Sequence, residues 1–345
     1  MYRKKALVSG VTGELGSYLA ELLLSKGYEV HGLLNTGQAR ENRLGYIKHL
    51  EDEIIFHTVA LDSYPNMLRV IKKVGPNEFY HLDDEENEAD ESALLNANIN
   101  STHCILQVLR DELPRCRFFF AASSRIYGET ENLPQTEESK FYPSTTYGIS
   151  KVSGYELTRM FRQVHGLYAC NGILFPSHSP RSCATSLVRQ VTEHAARVKL
   201  GHTQKISVEN LAHRFDWGQT KEYAQVVWRM VQEEWPADFV IATGKVTSVR
   251  QLITTAFSCI GLNYWEYIEV DARLPQLAEQ ELLIGDASKA RRQLGWTCQV
   301  EFKEMVVEMV KTSIQELTGS ASADNPPLTL STIREVQESV MRKTA

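Results

Sequence analysis

Residues 5–23 begin with a short apolar segment, continue through the glycine-punctuated sequence GVTGELG and end in an apolar stretch with helical spacing. This order predicts a strand, a tight turn and a helix. Gly10 would permit the turn, Gly13 would let a ligand approach the backbone, and Gly16 would let the helix pack closely on the strand. Because open amides at a helix N-terminus attract anions, we interpret the segment as a phosphate-binding turn. A purely structural turn is the alternative.

Further strands are predicted at regular intervals after this turn. They cover residues 28–34, 54–59, 78–82 and 117–122, and they alternate with helical segments that include residues 68–74 and 98–109. Strands that alternate with helices indicate an α/β protein with a Rossmann-type, doubly wound parallel sheet. Such sheets bind ligands beyond the carboxyl ends of their strands, so we expect the functional residues there.

The carboxyl end of the second strand bears on the choice between two dinucleotides. An acidic residue there would accept hydrogen bonds from the adenosine ribose and repel a 2′-phosphate. Leu34 and Asn35 occupy this place instead, and Arg40 or Arg43 could pair with a phosphate. The sequence therefore favours NADP over NAD, with two solvated arginines as the alternative.

A serine pair and a Tyr-x-x-x-Lys sequence follow the fifth strand. Ser123 and Ser124 end the strand, while Tyr147 and Lys151 stand four residues apart in a predicted helix and so share one face. An ammonium group beside a phenol stabilises the phenolate and lowers the pKa of the tyrosine, which suits it to act as a base. The alternative is an exposed helix pair, but the order of turn, serines and Tyr-Lys pair is typical of short-chain dehydrogenase/reductases.

Several stretches resemble the extended short-chain dehydrogenase/reductases that modify nucleotide sugars, and among these the GDP-mannose 4,6-dehydratase family. They are GVTGELGSYLAELLLSKGYEVHGL, TTYGISK, HGLYACNGILF, NLAHRFDWG, DFVIATGKVTSV and LLIGDASKARRQLGW. The resemblance implies a Rossmann domain with a smaller, interleaved C-terminal domain that holds the sugar nucleotide. It also implies NADP as cofactor, a GDP-sugar or related nucleotide sugar as substrate, and a homodimer or homotetramer.

The resemblance implies an internal redox reaction of the sugar. Tyrosine takes the proton of the 4-hydroxyl while hydride leaves C4, a glutamate helps to eliminate water across C5 and C6, and hydride returns to C6. Tyr147 would be the base, Lys151 would tune it and orient the ribose, and Ser123 would hydrogen-bond the reacting oxygen. The residues expected to contact the cofactor are Gly10, Thr12, Gly13, Leu15, Gly16, Asn35, Arg40, Leu61, Tyr147 and Lys151, and those expected to contact substrate are Ser124, Arg125, Arg181 and Arg214.

The chain departs from the family at several of these places. Arg125 stands where the family has its glutamate, and a guanidinium cannot act as an acid or base near neutral pH. The sequence therefore argues against dehydration and leaves reduction of a 4-keto sugar possible. Asn35 and Gln276 occupy places where the family has arginines, and Ala60 replaces an aspartate that brackets adenine.

An acidic segment, DDEENEADE at residues 83–91, follows the fourth predicted strand. One interpretation is a solvated loop. In the other, the carboxylates lie at the cofactor site and repel its phosphates. The fourth and fifth strands are neighbours in this fold, so Arg125 could pair with Asp83, Asp84 or Glu85. The residues Asp83, Asp84, Glu85 and Glu86 would then block the site, and no cofactor would bind.

The sequence also predicts domain boundaries. Residues 1–175 would form the NADP-binding domain and residues 176–317 the sugar-nucleotide domain, with a segment near 210–245 returning a strand at 239–244 to the Rossmann sheet. Asp286 is expected to cap a helix that ends at Gly295. Residues 318–345 would form a linker and a C-terminal helix, which would dock on the protein itself or bind a partner.

Composition excludes several classes of protein. A hydrophobic content of 43% is ordinary for a globular protein, and a net charge of −6 argues against binding of nucleic acid or an anionic membrane. The six cysteines show no CxxC spacing, which argues against a zinc site or a disulfide framework. The sequence shows no signal peptide and no apolar run of membrane-spanning length, so we expect a cytoplasmic location.

Two functions remain open at this point. The first is an NADP-dependent enzyme that carries out redox chemistry at C4 of a nucleotide sugar. The second is a catalytically inactive, dehydratase-like paralogue that serves as a binding or regulatory module. The intact glycine turn and Tyr-Lys pair favour the first, and the substituted positions favour the second.

Overall fold

The computed structural model describes residues 3–34, 45–82, 91–128, 133–270 and 283–319. The chain forms two compact units. The first comprises Met1–Ser177, Asp216–Lys245 and Leu283–Gln299, and the second comprises His178–Phe215, Val246–Leu282 and Val300–Ala345. The predicted boundaries placed residues 283–299 in the second domain. Residues 283–299 instead belong to the first unit, because Ala290, Leu294 and Trp296 are buried in its core.

Strands and helices alternate through most of the first unit, and the second unit adds further short strands and helices. In chain order, the strands are β1 (Lys5–Ser9), β2 (Glu29–Leu34), β3 (Ile55–Thr58), β4 (Glu78–His81), β5 (Arg117–Ser123), β6 (Ala169–Leu174), β7 (Ser177–His178), β8 (Ile206–Val208), β9 (Arg214–Phe215), β10 (Gly218–Gln219), β11 (Phe239–Ile241), β12 (Thr247–Ser248) and β13 (Ile268–Val270). The helices are α1 (Glu14–Ser25), α2 (Tyr64–Val74), α3 (Glu91–Glu112), α4 (Thr146–His165), α5 (Leu187–Lys199), α6 (Thr220–Gln232), α7 (Val249–Ser258), α8 (Ser288–Leu294) and α9 (Phe302–Thr318).

The first unit is built on a seven-stranded sheet with the order β11-β6-β5-β4-β1-β2-β3. Every neighbouring pair is parallel. The sheet confirms the predicted doubly wound α/β fold. The strand predicted at residues 239–244 is β11, which ends at Ile241 and pairs with β6.

Apolar side chains cover both faces of this sheet, which explains why its strands are almost continuously apolar. Along β5, Phe119 packs into one core cluster while Phe118 and Phe120 pack into the other. The cluster around Phe119 receives side chains from α1, α6 and α8. The opposite cluster receives side chains from α2, α3 and α4. The sheet is therefore a buried central layer that holds the ends of its strands in fixed positions.

Helix boundaries differ from the sequence predictions in places. Helix α2 begins at Tyr64, earlier than expected, with Pro65 in its first turn. Helix α8 is preceded by Ala287 rather than capped by Asp286, whose Oδ1 instead accepts a hydrogen bond of 2.8 Å from the Ser288 amide. Gly295 ends α8 in the left-handed conformation, as predicted.

The second unit contains helices α5, α7 and α9 and two small sheets. Strands β8 and β13 pair in parallel, and β9 and β12 pair antiparallel. Arg189 of α5 forms an ion pair of 2.6 Å with Glu316 of α9. None of the helices in the described ranges has the length and hydropathy needed to cross a membrane. The predicted C-terminal helix, in residues 320–345, lies outside the described residues.

Candidate functional site

The glycine-rich turn between β1 and α1 adopts a conformation that its glycines allow. Gly10 has a φ of 68°, and its carbonyl accepts a hydrogen bond of 3.0 Å from the Gly13 amide. A Cβ atom on Gly16 would lie 2.1 Å from that carbonyl oxygen, so the close contact between α1 and the turn excludes a side chain there. Gly13 precedes α1, and no side chain caps the helix there. The helix N-terminus and the glycine cradle fit the pyrophosphate of a dinucleotide.

Other residues of this turn pack against the protein itself. Leu15 is partly buried against the core cluster of α1. The Glu14 carboxylate accepts a hydrogen bond of 2.7 Å from Thr220, at the start of α6. Thr12, also expected at the cofactor, is half-buried. Glu14 was not among the predicted site residues, although a carboxylate in the first turn of a helix is a recognisable signal in a sequence.

The residues expected at the adenosine end of the cofactor are only partly within the described chain. Asn35, Arg40 and Arg43 lie outside the described residues. Leu61 is 8% exposed, and its side chain belongs to the apolar cluster that also contains Leu33. The expected contact between Leu61 and a cofactor therefore stays a prediction, as does the preference for NADP over NAD.

A single turn of 3-10 helix, Ser124–Ile126, begins where β5 ends. The Ser123 hydroxyl accepts a hydrogen bond of 3.3 Å from the Arg125 amide, which fixes the turn. Ser124 is buried, while Ser123 is half-buried and Arg125 is exposed. The Arg125 carbonyl lies against Gly148, where an added Cβ would come within 2.8 Å of the oxygen. The end of β5 and the start of α4 are therefore in direct contact.

Helix α4 places Tyr147 and Lys151 together. Thr145 caps the helix by accepting a hydrogen bond of 3.0 Å from the Gly148 amide. Tyr147 is 7% exposed and Lys151 2% exposed. The Lys151 Nζ lies 5.4 Å from the centre of the Tyr147 ring and donates a hydrogen bond of 3.2 Å to the Ala121 carbonyl of β5. The shared helix face predicted from the four-residue spacing is thus confirmed.

Arg125 forms no ion pair with any carboxylate of the described residues. The predicted partners of Arg125, which are Asp83, Asp84 and Glu85, lie outside the described residues, as does Glu86. The hypothesis that they block the site with Arg125 is accordingly still a prediction.

A buried histidine, His81, lies in the strand next to β5 and was not among the predicted site residues. His81, at the end of β4, is hydrogen-bonded through Nδ1 to the Ser9 hydroxyl at 2.6 Å and through Nε2 to the Thr102 hydroxyl at 3.2 Å. Burial lowers its pKa to about 3, and the positive charge of Lys151 contributes. The ring is therefore neutral at physiological pH. A histidine at the carboxyl end of a predicted strand was the available signal.

The same polar layer continues from α3 to α4. Thr102 donates a hydrogen bond of 2.8 Å to the Asn98 carbonyl. The Asn98 amide donates to the Ser150 hydroxyl at 3.1 Å, which in turn donates to the Tyr147 carbonyl at 2.8 Å. These bonds connect β1, which leads into the glycine turn, with the first turns of α4.

A second polar cluster holds the far end of α4. The Asp238 carboxylate accepts two hydrogen bonds from Arg162, at 2.7 and 2.6 Å, and one from the Tyr155 hydroxyl at 3.1 Å. It also accepts two from Asn171, from the backbone amide at 2.9 Å and from the side-chain amide at 3.0 Å. Burial opposes the charge of Arg162, but the ion pair outweighs it and raises the pKa of the guanidinium. The cluster fixes α4 against β6 and the start of β11.

The remaining predicted contacts with substrate, Arg181 and Arg214, belong to the second unit. Arg181 is half-buried, and its amide donates a hydrogen bond of 3.0 Å to the Ser179 hydroxyl. Arg214 is exposed on β9. Their roles in binding substrate stay predictions.

The part of the chain that the structure describes contains no cluster of three or more histidine, cysteine, aspartate or glutamate side chains suited to a metal ion. It includes all six cysteines, and none forms a disulfide. Burial raises the pKa of Cys104 to about 11, and burial together with a hydrogen bond to Glu222 raises that of Cys298 to about 12. These two thiols are consequently poor nucleophiles at neutral pH.

The parallel sheet, the glycine turn before α1 and the Tyr-Lys pair of α4 define a Rossmann-type short-chain dehydrogenase/reductase fold. The family model described as GDP-mannose 4,6 dehydratase matches residues 7–309. The chain belongs to this family.

Individual relatives agree with that assignment. The chain is 34% identical over 352 residues to GDP-mannose 4,6 dehydratase from Cricetulus griseus, covering 93% of this chain and 94% of that protein. Its fold is similar to that of dTDP-glucose 4,6-dehydratase from Bacillus anthracis in complex with NAD, with a TM-score of 0.79, 14% identity and coverage of 92% and 98% of the two chains. It is also similar to RMD from Pseudomonas aeruginosa complexed with NADPH, with a TM-score of 0.75, 18% identity and coverage of 91% and 99%.

Proposed function

We propose that this protein is an NADP-dependent enzyme that carries out redox chemistry at C4 of a GDP-hexose or related nucleotide sugar. The observation that carries the proposal is the buried pair of Tyr147 and Lys151 beside the carboxyl end of β5. A phenol and an ammonium group in this arrangement suit proton transfer to or from a sugar hydroxyl. Membership of the GDP-mannose 4,6-dehydratase family supports a nucleotide sugar as the substrate.

The glycine turn would hold the cofactor, and the residues of β5 and α4 would do the remaining chemistry. A bound nicotinamide supplies or accepts hydride. Tyr147 would move a proton between its phenol oxygen and the oxygen on C4. Lys151 would favour the phenolate form by its charge, and its bond to the Ala121 carbonyl would keep the ammonium group in place. Ser123 would donate a hydrogen bond to the reacting oxygen. NADP rather than NAD is inferred from the absence of an acidic residue at position 35.

Reduction of a 4-keto sugar is the direction that these residues support best. Elimination of water across C5 and C6 needs a second group that can exchange a proton there. Arg125 occupies the expected place, and its guanidinium keeps its proton at neutral pH. Ser123, Tyr147 and Lys151 are sufficient to move a proton at the C4 oxygen, and a bound nicotinamide would supply the hydride. Dehydration is therefore not part of the proposal.

The same substitution supports a second candidate, a catalytically inactive member of the family that serves as a binding or regulatory module. In that case the fold and the ligand sites would be used without turnover. The buried Tyr-Lys pair favours the enzyme and Arg125 favours the inactive module, so assays of activity and ligand binding decide between the two candidates.

Titration with NADPH, NADH and GDP-mannose, followed by thermal shift, tests whether the site binds its ligands. Turnover of a GDP-4-keto sugar is then followed by NADPH absorbance. Tyr147→Phe should keep NADPH binding and lose turnover by about 100-fold or more. Tyr142→Phe is the matched control, because Tyr142 is 57% exposed and has no assigned role. No shift with any ligand at millimolar concentration would refute the enzyme, and turnover that requires the Tyr147 hydroxyl would refute the inactive module.

We also propose roles for the two units and for the assembled protein. The first unit would bind NADP, and the second would contribute Arg181 and Arg214 to binding of the sugar nucleotide. The family resemblance supports a homodimer or homotetramer, and the cytoplasmic location expected from the sequence is part of the same proposal. Light scattering after size-exclusion chromatography measures the oligomeric state, and a monomer would refute that part.

A further inference from the structure

Arg125 lies near the proposed reaction centre, yet the proposed chemistry does not use it. It belongs to the 3-10 turn that starts directly after β5, and its amide is bonded to the Ser123 hydroxyl. Its carbonyl touches the backbone at Gly148, the residue that follows Tyr147. The side chain is exposed, and within the described ranges no carboxylate pairs with it. The positively charged side chain of Arg125 therefore begins beside the two residues that would handle C4.

The chemistry of a guanidinium limits what this charge can do. It donates hydrogen bonds in a planar fork that matches a carboxylate or a phosphate, and it does not exchange its protons. A charged group at this place therefore serves recognition of an anion rather than proton transfer.

The geometry of a hexose indicates which anionic group of the substrate Arg125 would bind. Ser123 and Tyr147 would contact the oxygen on C4, and C6 is attached to C5, the ring atom next to C4. The diphosphate of a nucleotide sugar is attached to C1, on the far side of the ring from C4. C3, the other neighbour of C4, carries a secondary hydroxyl that cannot be oxidised to a carboxylate, whereas C6 can. An anion next to a C4 oxygen held by Ser123 and Tyr147 is therefore assigned to C6.

We infer that the substrate is a nucleotide-linked hexuronate whose C6 carboxylate is bound by Arg125. This inference rests on the proposed function, since it assumes that C4 is the reacting position. A hexuronate has no hydroxyl on C6 to eliminate, so it needs no second acid or base there. The presence of a cation and the lack of a proton-exchanging side chain at position 125 then have one explanation.

The test compares two ligands that differ only at C6, GDP-mannose and GDP-mannuronate, by calorimetric titration of the NADP-loaded full chain. The hexuronate should bind about 10- to 100-fold more tightly, as expected for a charge-assisted pair. Arg125→Gln should remove this preference, so that the variant binds the two ligands with equal affinity. Arg125→Glu should reverse the preference. Arg115→Gln is the matched control, because Arg115 is also exposed but precedes the opposite end of β5.

Each alternative result has a distinct meaning. Equal binding of both ligands by the wild type overturns the inference and leaves the proposed function standing. An equal loss of affinity for both ligands in Arg125→Gln assigns the arginine to the diphosphate and also overturns it. Failure of the wild type to bind NADPH and either sugar refutes the proposed function and the inference together. Because Arg125 is exposed, thermal unfolding of each variant should match the wild type and exclude misfolding as the cause.

Discussion

Replacement of Arg162 by methionine should destabilise the first unit, because the guanidinium neutralises a buried carboxylate. The side chains of Arg162 and Asp238 are 17% and 9% exposed. Methionine keeps most of the apolar stem but leaves Asp238 without its cation. Arg162→Met therefore tests how strongly the ion pair fixes α4, the helix that carries Tyr147.

The expected cost follows from what remains around the carboxylate. Removal of one partner of a buried ion pair costs about 3–5 kcal/mol. Tyr155 and Asn171 continue to donate hydrogen bonds to Asp238, so the loss should fall near the lower end, about 3 kcal/mol. Arg159→Met is a matched control on the same helix. Arg159 pairs with Glu156, and these side chains are 46% and 43% exposed, so its loss should cost less than about 1 kcal/mol.

Urea unfolding followed by far-ultraviolet circular dichroism measures both changes, with the shift in midpoint converted by a shared m value. The two-unit chain requires that the transition of the first unit be identified, for example by its response to NADPH. Equal shifts for Arg162→Met and Arg159→Met would refute the reasoning. Such a result would mean that the ion pair with Asp238 is no more important than an exposed one.

Two further predictions concern the turn and the buried histidine. Gly16→Ala should abolish NADPH binding because its Cβ would lie 2.1 Å from the Gly10 carbonyl, whereas Gly13→Ala, with 3.3 Å, should weaken it less, and fluorescence titration of NADPH checks the order. Burial lowers the pKa of His81 from 6.5 to about 3, so the unfolded chain takes up this proton first as the pH falls. Its contribution to stability is thus complete above about pH 6.5 and declines by about 1.4 kcal/mol for each pH unit between about pH 6.5 and pH 3. His81→Gln should show a flatter dependence in urea unfolding between about pH 4 and pH 7, and an unchanged slope would contradict the assignment.

Features that depend on neighbours in the sequence could be predicted. The strand, glycine turn and helix at the N-terminus need only local patterns, and β1 and α1 lie where those patterns put them. The shared face of Tyr147 and Lys151 follows from the period of one helix. The order of alternating strands and helices was enough for the fold class, because parallel strands need crossover helices.

Features that depend on contacts between distant residues could not be predicted from the sequence. Ser9 and His81 are separated by 72 positions, and Arg162 and Asp238 by 76. Nothing in either local sequence shows that these side chains meet. The assignment of residues 283–299 to the first unit has the same origin, since it follows from burial of Trp296 in a core formed mainly by earlier segments.

The first unit is assembled from three separate segments of the chain, and this arrangement affects how it folds during synthesis. When Ser177 leaves the ribosome, β6 is the last strand of the sheet, and its outer edge has no partner until β11 and its flanking residues are made. Translation proceeds at about 5–20 residues per second, so this edge stays open for seconds. A nascent chain with an unpaired strand edge is prone to aggregation. We therefore expect truncation before Phe239, which removes β11, to give an insoluble product, and full-length expression to benefit from chaperones.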